Sequence, residues 1–464
     1  MTEPYESGSF RDRNARVFIR DGSVFRGLNE QASAEWDALA ETRFFDRFSA
    51  DGRLVATEKV DPPAATNEAE RWVSFLRHER VPFISYPYEW CFGMLKAAAV
   101  LQLDLLLAAL DEGMILKDSS AYNVQWVGAE PVFIDIASFE RLSAGSPWVG
   151  YRQFCEMFLC PLMLQAYKDV QFNAWMRGSI DGLRPSDCYR LFSMRDLLRP
   201  GVLKHVFLQA KLEARYADTK RDVRDDLRKA GFGKELILAN VKGLRRLVAR
   251  MNWRSRESEW SEYGDCSHYE PVDQQKKIDF VRDVVSMRSR RLVWDLGCNT
   301  GTFSRLAAEG ADYVVAQDGD HLVIERFWGS LSAEGNRKIL PLVNNLADPS
   351  PALGWRGRER QALEQRGNPD LVMCLALIHH MVITANVPMR EFVDWLASLG
   401  GDLIIEFVTK DDPMVHTLLR NKQDNYDDYD LEFFERCLAE SFEIGRREPL
   451  CEGQRIMYHA VARR

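Results

Sequence analysis

Apolar positions along the amino-terminal half recur with two periods, about two residues in some stretches and about 3.6 in others, and each period predicts its own element. Residues 14–29, NARVFIRDGSVFRGLN, form two alternating runs on either side of Asp21-Gly22 and predict a hairpin with a tight turn. A helical pattern follows over 32–48, then a strand over 54–60 and, past a proline-rich loop, a helix over 67–78. Residues 83–90 are extended and aromatic, and 92–112 predict one long helix. The order expected here is β-β-α-β-α-β-α.

From residue 290 onward the runs are shorter and more apolar, as in strands buried on both faces. Residues 292–296 end in Asp295, a turn holding Gly297 and Gly301 follows, and 302–308 open a helix. Glycine lets the backbone approach a ligand closely, and Asn299 is among the few other residues that tolerate positive φ. The helix start would offer free N–H groups to that ligand. A second run, 313–316, leads to Asp318, where a carboxylate can accept hydrogen bonds from two ribose hydroxyls. Further strands are expected at 339–343, within 369–380 (a strand and its exit) and at 402–408, and the runs 442–450 and 455–462 predict a closing antiparallel hairpin. A seven-stranded α/β sheet results. A dinucleotide fingerprint would need glycines where Asn299 and Thr302 stand, and a P-loop lysine is missing.

This strand-turn-helix-strand arrangement resembles the S-adenosylmethionine (SAM) site of class I methyltransferases, with a Rossmann-like sheet. Carried over, Asp295, Gly297, Asn299 and Gly301 would line the methionine side of SAM and Asp318 would hold the ribose. Asn345 would meet the adenine amino group with Leu346 against the ring face, although Asp348 is close enough to take the same role. Trp260, Tyr263 and Tyr269 would form a lid over the cofactor or pack a domain junction. His379-His380 is similar to the Leu-x-His-His endings of O- and N-methyltransferases, in which a histidine near neutrality takes a proton from the acceptor. The Asn/Asp-Pro-Pro-aromatic tetrad is absent, and Cys374 follows Met373 where cytosine C5 chemistry would require proline.

Residues 116–136, LKDSSAYNVQWVGAEPVFIDI, carry a second resemblance, to the catalytic and metal-binding loops of protein kinases and small-molecule phosphotransferases. There Asp118 would orient an attacking hydroxyl, and Asn123 and Asp135 would hold magnesium beside ATP. No glycine-rich phosphate loop is visible, and Lys59 lies on a strand but is misplaced for the usual helix glutamate. A kinase-like α+β fold without phosphotransfer, an active kinase and an unrelated fold all stay open.

The chain has 464 residues, which exceeds one ordinary domain; the expected divisions are 1–165 (kinase-like), 166–255 (helical connector) and 256–464 (methyltransferase). Residues 201–256 hold fifteen Lys/Arg against six Asp/Glu, a basic surface for an anionic substrate or RNA, or an ordinary solvated helix face. A net charge of −8 gives no global attraction to nucleic acid or acidic membranes. Nine cysteines without a C-x-x-C pair leave no zinc spacing, Cys266 and His268 coming nearest, so no metal is expected. The polar amino terminus and the charged residues within 91–116 predict a cytoplasmic protein without a membrane span. As a whole the chain resembles bacterial methyltransferases related to nodulation proteins, which implies methyl transfer from SAM to an oxygen or nitrogen of a glycan or small-molecule acceptor held by the first domain. A bifunctional kinase-methyltransferase, an RNA methyltransferase and a non-catalytic SAM-binding protein are the alternatives.

Overall fold

The computed structural model describes residues 5–63, 71–143, 145–211, 233–254, 269–420 and 425–463. Two compact units emerge. Unit 1 comprises Met1–Trp126, Pro131–Ser255 and Ala352–Gln361, and unit 2 comprises Val127–Glu130, Arg256–Pro351 and Ala362–Arg464.

Unit 1 begins with the expected hairpin, β1 (Ala15–Arg20) and β2 (Ser23–Leu28), whose two turn residues, Asp21 and Gly22, have φ of 48° and 76°. Both positive angles match the twist of the flanking strands. Helical sequence over 32–48 is divided into α1 (Glu30–Ala40) and α2 (Arg43–Ala50), because Thr42 turns its hydroxyl to the Phe45 N–H and starts a new helix. Strand β3 (Thr57–Val60) follows. The helix expected over 67–78 is corrected: Ser74–His78 is a strand, β4, hydrogen-bonded between β2 and β3. Four of its five residues are buried, so the short run lacks the alternation that would have marked it as a strand. Residues 64–70 of that expectation lie outside the described ones.

The long helix α3 (Phe92–Asp111) is apolar on almost every face. By length and composition it could cross a membrane, but most of it is buried inside unit 1, with Leu95, Ala98, Leu103 and Leu106 inaccessible to solvent. The chain then forms β5 (Met114–Leu116), a hairpin of β6 (Val124–Val127) and β7 (Glu130–Phe133), and β8 (Phe139–Arg141) paired with β5. Helix α4 (Lys234–Arg250) lays Ile237, Val241, Leu244 and Val248 inward and packs on α3, while Lys242, Arg246 and Arg250 face solvent. These three basic residues thus occupy the outer face of an amphipathic helix, whereas Arg245 is paired with Asp104 of α3.

Unit 2 is a seven-stranded mixed sheet. Helix α5 (Pro271–Ser286) leads into β9 (Arg290–Leu296), followed by α6 (Thr302–Ala307), β10 (Ala311–Asp318), α7 (His321–Ala333), β11 (Ile339–Val343), β12 (Leu371–Cys374), α8 (Met389–Ser398), β13 (Asp402–Val408), α9 (Leu431–Ser441), β14 (Phe442–Leu450) and β15 (Arg455–Ala462). The strand order is β11-β10-β9-β12-β13-β15-β14, with β15 antiparallel to both neighbours. The winding direction reverses between β9 and β12. Ligands of open α/β sheets bind at the carboxyl edge beside such a switch.

Candidate active site

Strand β9 delivers Asp295 to that edge. Its carboxylate is 2% exposed and accepts a 2.5 Å hydrogen bond from Ser304. Burial pushes the carboxyl up to about 7, against the Ser304 hydroxyl, which favours the charged form. The turn after it holds Gly297, Asn299 and Gly301 at φ of 73°, 47° and 83°. A Cβ on Gly301 would lie 1.9 Å from the Phe327 ring, so glycine is required both for the backbone angle and for the packing.

The turn is tied to the end of β10. Asn299 N–H donates to Asp318 at 2.9 Å, and Asp320 N–H donates to the other Asp318 oxygen at 2.9 Å. Burial raises the Asp318 carboxyl, opposed by these two N–H groups. The following helix, α6, spans six residues, too few for a strong dipole, so binding capacity rests on the turn and the carboxylates. Asn299 Oδ1 is buried with no hydrogen-bond partner among the described residues. An orphaned buried acceptor in this turn matches an ammonium donor, which is what the methionine end of SAM offers.

At the end of β11, Leu346 is 9% exposed, while Asn345 is exposed and its side-chain oxygen accepts from Ala347 N–H at 3.1 Å. The buried neighbour Asn344 instead bonds Gln317 at 2.7 Å. Beyond β12, His379 and His380 have ring centroids 4.1 Å apart. His379 is fully buried, and neither ring nitrogen has a hydrogen-bond partner among the described residues. Burial, His380 and the cations Arg455 and Lys277 hold its pKa far below the usual range; His380, partly exposed, is lowered to about 4 by burial and Arg455. Both rings are therefore neutral at physiological pH.

Sequence reasoning assigned no role to Lys277, Glu406 and Arg455 in the ion network beside them, and Tyr269, expected as a lid or junction residue, has its hydroxyl in that network. Lys277 on α5 bonds Glu406 on β13 at 2.7 Å and the Tyr269 hydroxyl at 3.0 Å. Tyr269 also donates to Glu406, while Arg455 bonds the Tyr269 hydroxyl and Asp412, each at 2.7 Å. The signal was present: Lys277 lies one turn before Phe280 and Val281 on the buried face of α5, and Glu406 interrupts the apolar run DLIIEFV. Trp260, Tyr263, Cys266 and His268 lie outside the described residues. In unit 1, Asp118, Asn123 and Asp135 do come together, with Asn123 Nδ2 3.4 Å from Asp135. Arg26, which sequence reasoning missed, bonds Asp135 at 2.7 Å.

The chain is 34% identical over 455 residues to the nodulation protein NoeA of Rhizobium meliloti (strain 1021), an alignment spanning 97% of this chain and 95% of that protein. The chain belongs to the NoeA family. No family model matches it. Similar solved structures include the N-methyltransferase NodS of Bradyrhizobium japonicum WM9 with S-adenosyl-L-homocysteine (TM-score 0.33, 14% identity, 45% of this chain and 94% of that one). Another is the magnesium protoporphyrin IX methyltransferase ChlM of Synechocystis PCC 6803 with bound SAM (TM-score 0.29, 17% identity, 45% and 87%). The fold assignment rests on strand order and not on these likenesses. In this NoeA-family chain, unit 2 has the seven-stranded order β11-β10-β9-β12-β13-β15-β14, the sheet expected of a class I methyltransferase fold.

Proposed function

We propose that unit 2 transfers a methyl group from SAM to a hydroxyl or amine of a glycan or other small-molecule acceptor. The observation that carries this reading is the turn from Asp295 to Gly301 hydrogen-bonded to Asp318, with Asn299 Oδ1 buried and without a hydrogen-bond partner among the described residues. When bound, SAM supplies a methyl group already activated on sulfur. The chain's own part is placement and proton handling. Asp295 and Asn299 would hold the methionine ammonium, Asp318 would accept from the ribose hydroxyls, and Leu346 would lie against the adenine. Asn345 is the weaker adenine contact, since its side-chain oxygen is already used within its own turn. A neutral histidine of the His379-His380 pair takes the acceptor's proton as the new bond forms. Alignment in a water-poor site provides much of the remaining rate.

The name of the Rhizobium meliloti relative supports a role in nodulation; the glycan acceptor is this reading's own extension of it. Unit 1 is read as a kinase-like fold that recognises the acceptor: the long helix α3, the Asp118 turn and the β6-β7 hairpin ending at Asp135 support that reading.

Calorimetric titration with SAM, on the wild-type chain and Asp318→Ala, tests the cofactor reading. Binding that Asp318→Ala weakens about tenfold or more is expected, from the loss of hydrogen bonds to a charged group. A folded wild-type chain that fails to bind SAM would sink it. Transfer of labelled methyl from SAM to a panel of hydroxyl- and amine-bearing glycans then identifies the acceptor.

A further inference from the structure

The kinase resemblance implies magnesium held by Asn123 and Asp135. The side chains present do not fit it. Asp135 Oδ1 accepts from Arg26 NH1 at 2.7 Å, and Oδ2 accepts from the Ser138 hydroxyl and, at 3.4 Å, from Asn123 Nδ2. Asn123 directs the same amide nitrogen to Ser138 Oγ at 3.3 Å. Magnesium requires near-octahedral oxygen ligation at about 2.0–2.1 Å, most often through carboxylates that keep a free lone pair toward the ion. Here both Asp135 oxygens are engaged, and one faces a guanidinium that never gives up its charge.

Arg26 is not a loose surface side chain. It is 8% exposed, and it stands on β2 between two paired strands. Beside it His78 is 7% exposed, its Nδ1 2.8 Å from the Thr57 hydroxyl. Such a fixed cation compensates a carboxylate permanently, where a metal would do so only when bound. The β1-β2 turn of two residues, Asp21 and Gly22, is also too short to cover a polyphosphate, which removes the partner that usually completes magnesium coordination. Among the described residues, no group of three or more His, Cys, Asp or Glu is placed to hold a metal ion.

We infer that Arg26 takes the place of a divalent cation at Asp135 in unit 1, so that the Asp118-Asn123-Asp135 cluster works without magnesium. Two polar atoms of the cluster, Arg26 Nε and His78 Nε2, are buried with no hydrogen-bond partner among the described residues. Arg26 Nε–H can donate to a hydroxyl or carbonyl oxygen of a ligand; because the Thr57 hydroxyl donates to Val55 O and accepts from His78 Nδ1–H, His78 Nε2 is an acceptor for a ligand hydroxyl.

The test uses the full chain and manganese, a paramagnetic stand-in for magnesium whose free form is counted by electron paramagnetic resonance. Wild type is expected to bind no Mn²⁺ through unit 1, so that Asp135→Asn leaves the titration unchanged. Arg26→Met, which removes the charge and roughly keeps the volume, is expected to gain one Mn²⁺ site at least tenfold tighter than anything in wild type. Asp135→Asn in that background should abolish the site, and Arg26→Lys should stay metal-free. A wild-type Mn²⁺ site lost in Asp135→Asn overturns the inference, whether or not the Arg26 variants fold. A folded Arg26→Met chain that binds Mn²⁺ no better than wild type overturns the assignment to Arg26.

Discussion

Lys277 Nζ lies 2.7 Å from Glu406 Oε2, with the two side chains 5% and 0% exposed, so a helix and a central strand of unit 2 are joined by an ion pair almost out of reach of water. Burial alone would raise the Glu406 carboxyl, but Lys277 and Arg455 together hold it below its ordinary value. Breaking such a pair from one side leaves an uncompensated buried charge, which costs about 3–5 kcal/mol. Because Tyr269 and Arg455 still reach Glu406, Lys277→Met is expected near the lower end, about 3 kcal/mol, by denaturant unfolding. Lys277→Met with Glu406→Gln should recover part of the loss. A change under about 1 kcal/mol would mean that the pair does not form in solution.

Asp295 gives a pH dependence with a defined sign. In an unfolded chain an aspartate titrates near 3.9, and in the folded chain this one titrates at about 7. As pH rises from about 4 to about 7 the unfolded chain releases its proton first, so this group's contribution to stability falls across that window and is level above it. SAM reverses the preference, since its ammonium favours the ionised carboxylate. SAM affinity is therefore expected to strengthen between about pH 6 and pH 8, with proton release on binding at the lower pH. Calorimetry in buffers of different ionisation enthalpy measures that proton directly. Asp295→Asn should remove it, and a pH-independent affinity in wild type would contradict the placement of Asp295.

How much of this was legible beforehand depends on whether a residue acts through its neighbours in sequence or through partners far away. Asp295, Gly297, Asn299 and Gly301 sit in one turn, and their chemistry is written in residue type and spacing. The seven-stranded sheet was readable too, because its strands are apolar runs separated by turns. Arg26 and Asp135 are 109 positions apart, and nothing local marks an arginine on a hairpin strand as the partner of a distant carboxylate. Tyr269, Lys277, Glu406 and Arg455 converge in the same way from three separate segments. Strand β4 was misread for a different reason: a central strand buried on both faces shows no alternation, and five residues are too few to separate the two periods.

Gly301 is the position in the cofactor turn least able to accept a side chain. Its φ is 83°, and a Cβ there would overlap Phe327, itself 2% exposed. The left-handed angle costs about 1–2 kcal/mol for an alanine, and displacing a packed aromatic ring adds to it. Gly301→Ala is expected to lower the melting temperature and weaken SAM binding together. Adding Phe327→Leu should restore part of the melting temperature, since the two residues are in contact and their effects will not add. Full additivity would show that the ring is not the obstacle.

The two histidines are adjacent but not equivalent. His379 is fully buried, whereas His380 retains some exposure at the carboxyl edge, so an acceptor has access to the second ring first. With a pKa lowered to about 4, His380 is neutral throughout the physiological range and ready to take a proton. Positioned general bases contribute about 10²–10⁴-fold, and His380→Ala is expected to reduce kcat by that order while leaving the Kd for SAM unchanged. His379→Phe keeps a ring in the cavity and should retain most of kcat. On the acid side the wild-type rate should stay level until about pH 5, where imidazole protonation begins, instead of falling near 6.5 as for an unperturbed histidine. Steady-state kinetics with the acceptor found in the labelled-methyl screen decides between the rings. A large loss in His379→Phe with little in His380→Ala would reverse their roles, and no loss in either would mean that the proton leaves by another route.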